Sequence, residues 1–252
     1  MGRAKDIIVK VIPAKAANKF IKKHHYSGKV VPNSNLHFGA FLDNKLHGVL
    51  SYGSSFVKKN VIKLVEGTGW NEFIELNRMA FDDYLPKNSE SRCIAVSIRL
   101  IKKNAPHIKW ILSFADSCQC GDGIIYRASG FYLTGIKKND GVFIFNGEQV
   151  HGKVLWDRGI TKVWTIKDKE LCDINRKGHS IERLDGFQLR YIYLIDKSCK
   201  ITVPILPFSK IDEMGAGMYK GVKRSKQAMA DTSCTAEGQN LPGRSKEKAE
   251  VV

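Results

Sequence analysis

The stretch Trp110–Gly135, WILSFADSCQCGDGIIYRASGFYLTG, constrains the fold more than any other part of the chain. It reads as a buried strand from Trp110 to Ala115, a loop containing Gly and Cys, and a short helix carrying Ile124, Ile125 and Tyr126. Gly130 and a new strand from Phe131 follow. An apolar run bounded by turn residues and followed by helical spacing marks a strand–helix–strand unit, and hence a mixed α/β (α+β) fold. In such units ligands sit in the loop leaving the carboxyl end of the strand, which places Asp116 and Tyr126 at the expected chemistry. Gly130 suits a left-handed exit from the short helix.

The flanking sequence supplies the rest of a sheet. Residues 6–12 (DIIVKVI) form a first strand, and Pro13 starts a helix through Ala16, Ala17, Phe20 and Ile21. That helix ends in Lys22-Lys23-His24-His25-Tyr26-Ser27-Gly28, with cations and a glycine suited to a C-terminus. Two apolar runs between Leu36 and Gly53, parted by Asp43-Asn44, predict a hairpin. Residues 73–81 (FIELNRMAF) predict a strand whose alternation puts Arg78 with Leu76 and Ala80, and Glu75, Asn77 and Met79 opposite. A guanidinium on a partly apolar face requires either a function or a partner, Asp82, Asp83 or Asp116. After Leu85-Pro86, Ile94, Ile98 and Ile101 carry helical spacing, with Asn88 or Ser89 as N-cap. The free backbone N–H groups of that first turn, beside Lys87 and Arg92, suit an anion; Glu90 opposes one, and plain helix capping accounts for the same residues. Asp140-Gly141 marks a turn between strands 131–136 and 142–145.

Charge then narrows the partner. Of 252 residues 41 are Lys or Arg and 25 Asp or Glu, a formal charge of +16 that favours a polyanion. From His151 the strand-like runs VLWD, VWTI and FQLRYIYLID interleave Lys153, Arg158, Lys162, Arg176, Lys177, Arg183 and Arg190 with Trp156, Trp164, Tyr191 and Tyr193. Together with Lys137 and Lys138, these cations are the expected nucleic-acid contacts. A solvated charged face over a buried strand is the rival reading. Beyond Phe208 apolar periodicity is lost, so residues 1–208 read as one catalytic domain, with basic strands at 151–208, and 209–252 as a disordered basic tail. The six cysteines (93, 118, 120, 172, 199 and 234) lack paired C-x-x-C spacing, so no metal site is expected and reduced thiols are. No leader and no bilayer-spanning apolar run are read, which implies a cytoplasmic protein.

Two resemblances sharpen this. Tyr126-Arg-Ala-Ser-Gly130-Phe131 resembles the Y-x-x-x-G-F segment of the GNAT acetyltransferase fold, and a helix followed by a hairpin is how such domains begin. The resemblance implies a mostly antiparallel central sheet flanked by helices. It also implies a tyrosine that protonates the departing thiolate of coenzyme A, whose pyrophosphate would meet Lys87, Asn88, Ser89 and Arg92. The usual Q/R-x-x-G-x-G/A loop is absent.

His25-Tyr26-Ser27, Glu75-Leu-Asn-Arg78, Leu85-Pro-Lys-Asn-Ser-Glu-Ser-Arg92, Pro106-His-Ile-Lys-Trp110, Ser113-Phe-Ala-Asp116 and Ile125-Tyr126 occur in that order over roughly residues 5–200. This series resembles the Mom family of bacteriophage DNA-modification proteins. The resemblance implies a phage- or prophage-encoded enzyme of the host bacterial cytoplasm. It converts adenine in double-stranded DNA to N6-(carbamoylmethyl)adenine against host restriction, with no protein partner implied. It points to His25, Tyr26, Arg78, Ser91, Asp116 and Tyr126 as catalytic. Asp116 would act as base or orienting acceptor, Arg78 as oxyanion clamp, Tyr126 as acid toward the leaving group, and His25 as base-edge contact or proton shuttle. Tyr26 and Tyr132 are candidate stacking rings. The donor is acetyl-coenzyme A or a glycine-type molecule, since plain acetylation would give N–CO–CH3 rather than N–CH2–CO–NH2. An iron-assisted route would use His25, Tyr26 and Asp116. Two further functions stay open: acyl transfer to a protein, tRNA or small amine, and nonenzymatic DNA binding.

Overall fold

The computed structural model describes residues 3–163 and 166–224. A short edge strand β1 (Ile8–Val11) leads to α1 (Ala14–His24), with Pro13 as its N-cap and Ala17, Phe20 and Ile21 buried. The hairpin β2 (Ser34–Leu42) and β3 (Lys45–Gly53) turns at Asp43 and Asn44, both at positive φ (50° and 61°). That two-residue geometry matches the right-handed twist of the strands it joins. A single turn α2 (Lys58–Val61) precedes β4 (Phe73–Phe81). Then come α3 (Ser89–Asn104), β5 (Trp110–Asp116), α4 (Ile124–Ala128) and β6 (Tyr132–Lys138). A small unit follows: β7 (Val142–Phe145), β8 (Glu148–His151), α5 (Gly152–Asp157), α6 (Asp168–Arg176) and β9 (Ile181–Arg183). The chain returns through β10 (Phe187–Leu194) and ends, among the described residues, in α7 (Ser209–Glu213) and the hairpin β11 (Met218–Tyr219) and β12 (Val222–Lys223).

The main sheet has seven strands in the order β1-β2-β3-β4-β5-β10-β6. All neighbours are antiparallel except β4 and β5. This is the mixed, mostly antiparallel sheet flanked by helices expected from the sequence. One face packs on α3 and α4 through Leu50, Tyr52, Leu76, Ile94, Ile98, Ile111 and Tyr191. The other is covered by α1 over Val49 and Ala80, and by Val61, Leu64 and Val65 over Trp110 and Leu112. Burying both faces of one sheet is what gives a chain of this length a single continuous scaffold.

The parallel pair decides where a site can form. β4 and β5 are in register for only four residues, Phe73↔Trp110 to Leu76↔Ser113. Beyond these, β4 stays on β3 as far as Phe81 and β5 stays on β10 as far as Asp116, so the sheet parts. A bulge lies at that point: Tyr52 pairs Leu76 and Ser51 pairs Arg78, leaving Asn77 unpaired. A bulge re-aims the side chains that follow it. The alternation read from the sequence is corrected accordingly: Arg78 lies on the face of Glu75 and Ala80, opposite Leu76.

The turn expected between strands 131–136 and 142–145 stands, and it leads out of the main sheet: β6 pairs with β10, and β7 pairs with β8 and β9 in a separate three-stranded sheet. One expectation about the second half is also corrected. Residues 151–208 are not a run of strands, since VLWD is helical in α5 and only FQLRYIYL is a strand of the main sheet. The small unit has its own core of Phe143, Phe145, Val150, Leu155, Ile166, Ile174 and Ile181, inserted between β6 and β10. Trp164, counted among the aromatics of this region, lies outside the described residues.

Order also continues past Phe208. Ile211, Ala216 and Met218 are buried. Arg224 pairs with the buried Asp122 and, at 3.1 Å, with Asp212. The Met218 carbonyl accepts from the Asp122 amide at 3.0 Å, and the Gly221 amide donates to the Cys120 carbonyl at 2.8 Å. Alanine and glycine hide this packing in the sequence because the segment's contacts are mostly backbone ones. The tail expected from residue 209 is therefore structured to residue 224, and residues 225–252 lie outside the described residues.

Candidate functional site where two strands part

Four of the six predicted catalytic residues meet at the gap between β4 and β5. Helix α1 ends as His25 turns extended and Gly28 takes a positive φ of 59°, which delivers His25 and Tyr26 to the open side. The Tyr26 hydroxyl donates to Asp116 Oδ2 at 3.1 Å. Gln119 Nε2 donates to the same oxygen at 2.9 Å and the Cys118 amide to Oδ1 at 3.0 Å, so the carboxylate is held by its own loop. Partial burial and the adjacent Asp116 carboxylate raise the Tyr26 pKa well above its ordinary value, so this phenol stays protonated. His25 Nδ1 accepts from the Ser27 amide at 3.1 Å and lies 2.8 Å from Ser27 Oγ. Burial, with the Arg78 guanidinium nearby, lowers its pKa to about 4, so the imidazole is neutral at physiological pH.

Arg78 reaches the same gap from the other strand. Its guanidinium donates to the Lys29 carbonyl at 3.2 Å and the Asn77 carbonyl at 2.9 Å. Among the described residues no carboxylate forms an ion pair with it, and Asp82 pairs with His47 at 2.9 Å instead. A guanidinium held by neutral carbonyls keeps its positive charge available to a ligand.

Tyr126 approaches from the α4 side and is buried against Phe131 and Tyr191. Its hydroxyl bonds Ser113, the last β5 residue paired with β4, and burial pushes its pKa up to about 12. The helix that carries Tyr126 starts at Gly123, where φ is +84° and a Cβ would lie 2.5 Å from the Tyr191 ring. Glycine is required there for both reasons.

Ser91 is elsewhere. It lines an open groove of about 460 Å3 between α3 and α4 with Asn88, Arg92, Arg99 and Ser129. Asn88 is the N-cap of α3, at φ 69°, and makes no side-chain cap bond; Ser91 Oγ donates to the Asn88 carbonyl at 3.2 Å. Arg92 donates to the Lys5 carbonyl at 2.8 Å. Neither Lys87 nor Ser89 lines the groove, and the Ser89 hydroxyl is spent on the Pro86 carbonyl.

Four neighbours of the gap escaped the sequence reading. Glu75 shares the Arg78 face; burial raises its pKa, while Ser55 and the nearby Arg78 act in the other direction. The bulge that brings it beside Arg78 leaves no mark in the residue pattern. Gln119 steadies Asp116, and the Cys120 thiol is raised by burial and by Asp116. Phe114 is 42% exposed on the Asp116 face of β5, a signal that simple alternation does carry. Tyr132, in contrast, pairs with Ile192, which pairs with Leu112, four residues before Asp116. Phe114 therefore lies nearer to Asp116 along the sheet than the candidate stacking ring Tyr132 does.

The predicted DNA contacts divide. Lys137, Lys138, Lys153, Arg158, Lys162, Arg176 and Lys177 are exposed. Arg183 donates to the Ile166 carbonyl at 3.0 Å and flanks Phe143. Arg190 donates to Thr134 Oγ1 and O at 3.1 and 2.7 Å; both arginines are committed inside the fold. Among the described residues no three His, Cys, Asp or Glu converge as a metal site, and the iron reading gains no support. No helix among them is long and apolar enough to cross a membrane.

Fold and site thus define a mixed α/β domain with a polar cleft where its parallel strands separate. Comparison with known proteins is more specific. The model of the Mom protein family matches residues 6–210, and the chain belongs to that family. The methylcarbamoylase Mom of Escherichia phage Mu is 36% identical over 149 residues, 59% of this chain and 61% of the phage protein's length. Solved acetyltransferases also align. An acetyltransferase of Bacillus subtilis in complex with CoA is 12% identical over 75% of this chain and 98% of its own, at TM-score 0.41. The ribosomal-protein-S18-alanine N-acetyltransferase of Escherichia coli is 9% identical over 80% and 99%, at TM-score 0.42. At such scores these add nothing to the topology itself.

Proposed function

We propose that this protein is a DNA-modifying transferase that places a carbamoylmethyl group on the exocyclic amine of adenine; the phage relative is named a methylcarbamoylase. What carries the reading is the 3.1 Å contact of Tyr26 with Asp116, beside an Arg78 whose guanidinium donates to carbonyls, in the gap between β4 and β5. Membership of the Mom family is consistent with DNA as the substrate class.

The amine lone pair is delocalised into the purine ring and hydrogen-bonded in the duplex, so the base must first leave the stack, at roughly a few kcal/mol. Phe114 offers an exposed ring on the Asp116 face for that base. Asp116 accepts a proton from the amine or orients it, and a general base of this kind contributes on the order of 10²–10⁴-fold. Arg78 stabilises negative charge developing on a donor carbonyl. Tyr126 retains its proton at neutral pH and can give it to a leaving group. Neutral His25 serves as a hydrogen-bonding contact rather than a charge.

The product fixes the donor's atoms. Nitrogen ends bonded to a methylene, so transfer of CH2–CO–NH2 from a leaving group X balances as amine plus X–CH2–CO–NH2 giving the product and HX. Substitution at C6 by the amine of a glycinamide-type donor, with loss of ammonia, balances equally. The α3–α4 groove suits the phosphates of coenzyme A: Arg92 and Arg99 border it beside Ser91. Bound there as its acetyl thioester, that cofactor would supply CH3–CO, which by itself gives N–CO–CH3 and not the N–CH2–CO–NH2 linkage. Mass spectrometry of nucleosides from DNA of expressing cells tests the proposal. A carbamoylmethyl adduct that disappears in Arg78→Ala and Asp116→Asn supports it, and unmodified adenine overturns it.

A further inference from the structure

Between β3 and β4 the chain exposes apolar surface that the core does not use. Phe56 is 71% exposed, Val57 56% and Trp70 53%. With Ser54, Ser55 and Lys58 they line an open pocket of about 620 Å3. Single exposed apolar residues need no explanation, but a contiguous group does. Lysines frame this one. Lys58 Nζ lies 4.7 Å from the Trp70 ring centre and 5.6 Å from that of Phe73. Lys59 and Lys63 are exposed, and residues 54–65 contain three lysines and no acid. The nearest carboxylates in sequence, Glu66 and Glu72, face Lys200 and Lys109.

The patch also adjoins the cleft. Ser55, buried beside it, bonds the Glu75 carboxyl, and Glu75 shares a sheet face with Arg78. From Phe73, under Lys58, to Arg78 is five residues of strand, on the order of 15 Å. That is a few nucleotides of extended DNA strand.

The geometry points to a second substrate contact: this patch binds unpaired DNA beside the target base, with bases stacked on Trp70 and Phe56 and phosphates on Lys58, Lys59 and Lys63. Rings among cations are the chemistry of sequence-tolerant single-strand binding. Opening a duplex to reach an amine leaves neighbouring bases in need of a surface. Three lysines without an acid favour a polyanion over a protein partner. The identity of the strand as substrate rests on the proposed function; the binding chemistry does not.

The test is fluorescence anisotropy of the full chain with a labelled single-stranded oligonucleotide and with a duplex containing one mismatched adenine, at two salt concentrations. Trp70→Ala and Phe56→Ala weaken binding roughly 5- to 100-fold with unchanged Tm, and Trp70→Phe restores most of it. Lys59→Ala lowers the single-strand salt slope by about 0.7. Unchanged affinity in the Trp70 and Phe56 variants overturns the inference, as does a shift in oligomeric state with DNA affinity intact, which would mark a protein interface. Nucleoside analysis of the same variants keeps the two proposals separate. Weakened binding with no adduct from the unaltered chain sinks the adenine chemistry and leaves the patch. Normal adduct with indifferent variants does the reverse.

Discussion

The cleft between β4 and β5 and the small unit of β7–β9 both carry cations, and they treat them in opposite ways. In the small unit four of the cations each meet an acid of the same unit. Lys153 lies 2.9 Å from Asp157, Arg158 3.7 Å from Glu148, Arg176 3.4 Å from Asp173 and Arg183 3.5 Å from Asp168. In the cleft Arg78 donates to carbonyls and forms no ion pair with the Glu75 carboxyl beside it, and a carboxylate, Asp116, is met by a phenol, an amide side chain and a backbone N–H. Charge left without a counter-charge in a sheltered gap can act on a ligand. Charge paired in water is already screened.

The largest effect that would break this contrast is loss of chemistry without loss of fold. Asp116→Asn keeps hydrogen-bonding capacity but removes the base, so adduct formation falls about 10²–10⁴-fold while DNA affinity and Tm stay near the unaltered values. Adduct at the normal level in this variant would strip the cleft of its special status.

Next in size is the clamp on the loop that carries Asp116. Asp122 is 2% exposed and paired with Arg224, which also meets Asp212 at 3.1 Å. Arg224→Ala leaves a buried carboxylate without its cation and costs about 3 kcal/mol in urea unfolding. Because Cys120 and Asp122 are both tied to residues 218–221, the adduct yield falls as well. A variant as stable as the parent would mean that the C-terminal segment adds nothing to the site.

A smaller effect distinguishes a neutral from a charged His25. Its folded pKa, about 4, lies below the ordinary 6.5, so between those values the unfolded chain binds more protons. The stability tied to a neutral His25 is therefore complete above about pH 6.5 and is lost as pH falls toward 4. Against His25→Gln the parent loses about 1 kcal/mol by pH 5, the half-buried position moderating the full shift. Parallel stability curves for the two proteins across this range would show that His25 does not titrate as its surroundings require.

How much of this could be read beforehand depends on how local each feature is. The hairpin turn at Asp43-Asn44, the Ile94–Ile98–Ile101 stripe and the strand–helix–strand unit at Trp110 are written in turn residues and spacing, and they stand where expected. The convergence of Tyr26 and Asp116 was legible only through the ordered series of motifs, because ninety residues separate them. The bulge at Asn77 was not legible: it is a mismatch between partners, not a property of FIELNRMAF, and it carried Glu75 out of view. The inserted unit was missed for a similar reason, since its short strands look like any others until their partners are known.

The smallest effect concerns the surface cations themselves. Replacing Lys153 and Arg176 with alanine removes one partner from each of two exposed ion pairs, at about 0.5 kcal/mol or less of stability apiece. The acids left behind, Asp157 and Asp173, then face any approaching polyanion unneutralised. If the small unit lies along DNA, the salt slope of duplex binding falls by about 1 for each phosphate that no longer meets a cation. If its cations serve only the unit's own carboxylates, the slope stays the same and the cleft with its neighbouring patch carries the binding. The experiment therefore decides whether the inserted unit shares the work of the cleft, and a duplex titration from low to physiological salt is enough to read it.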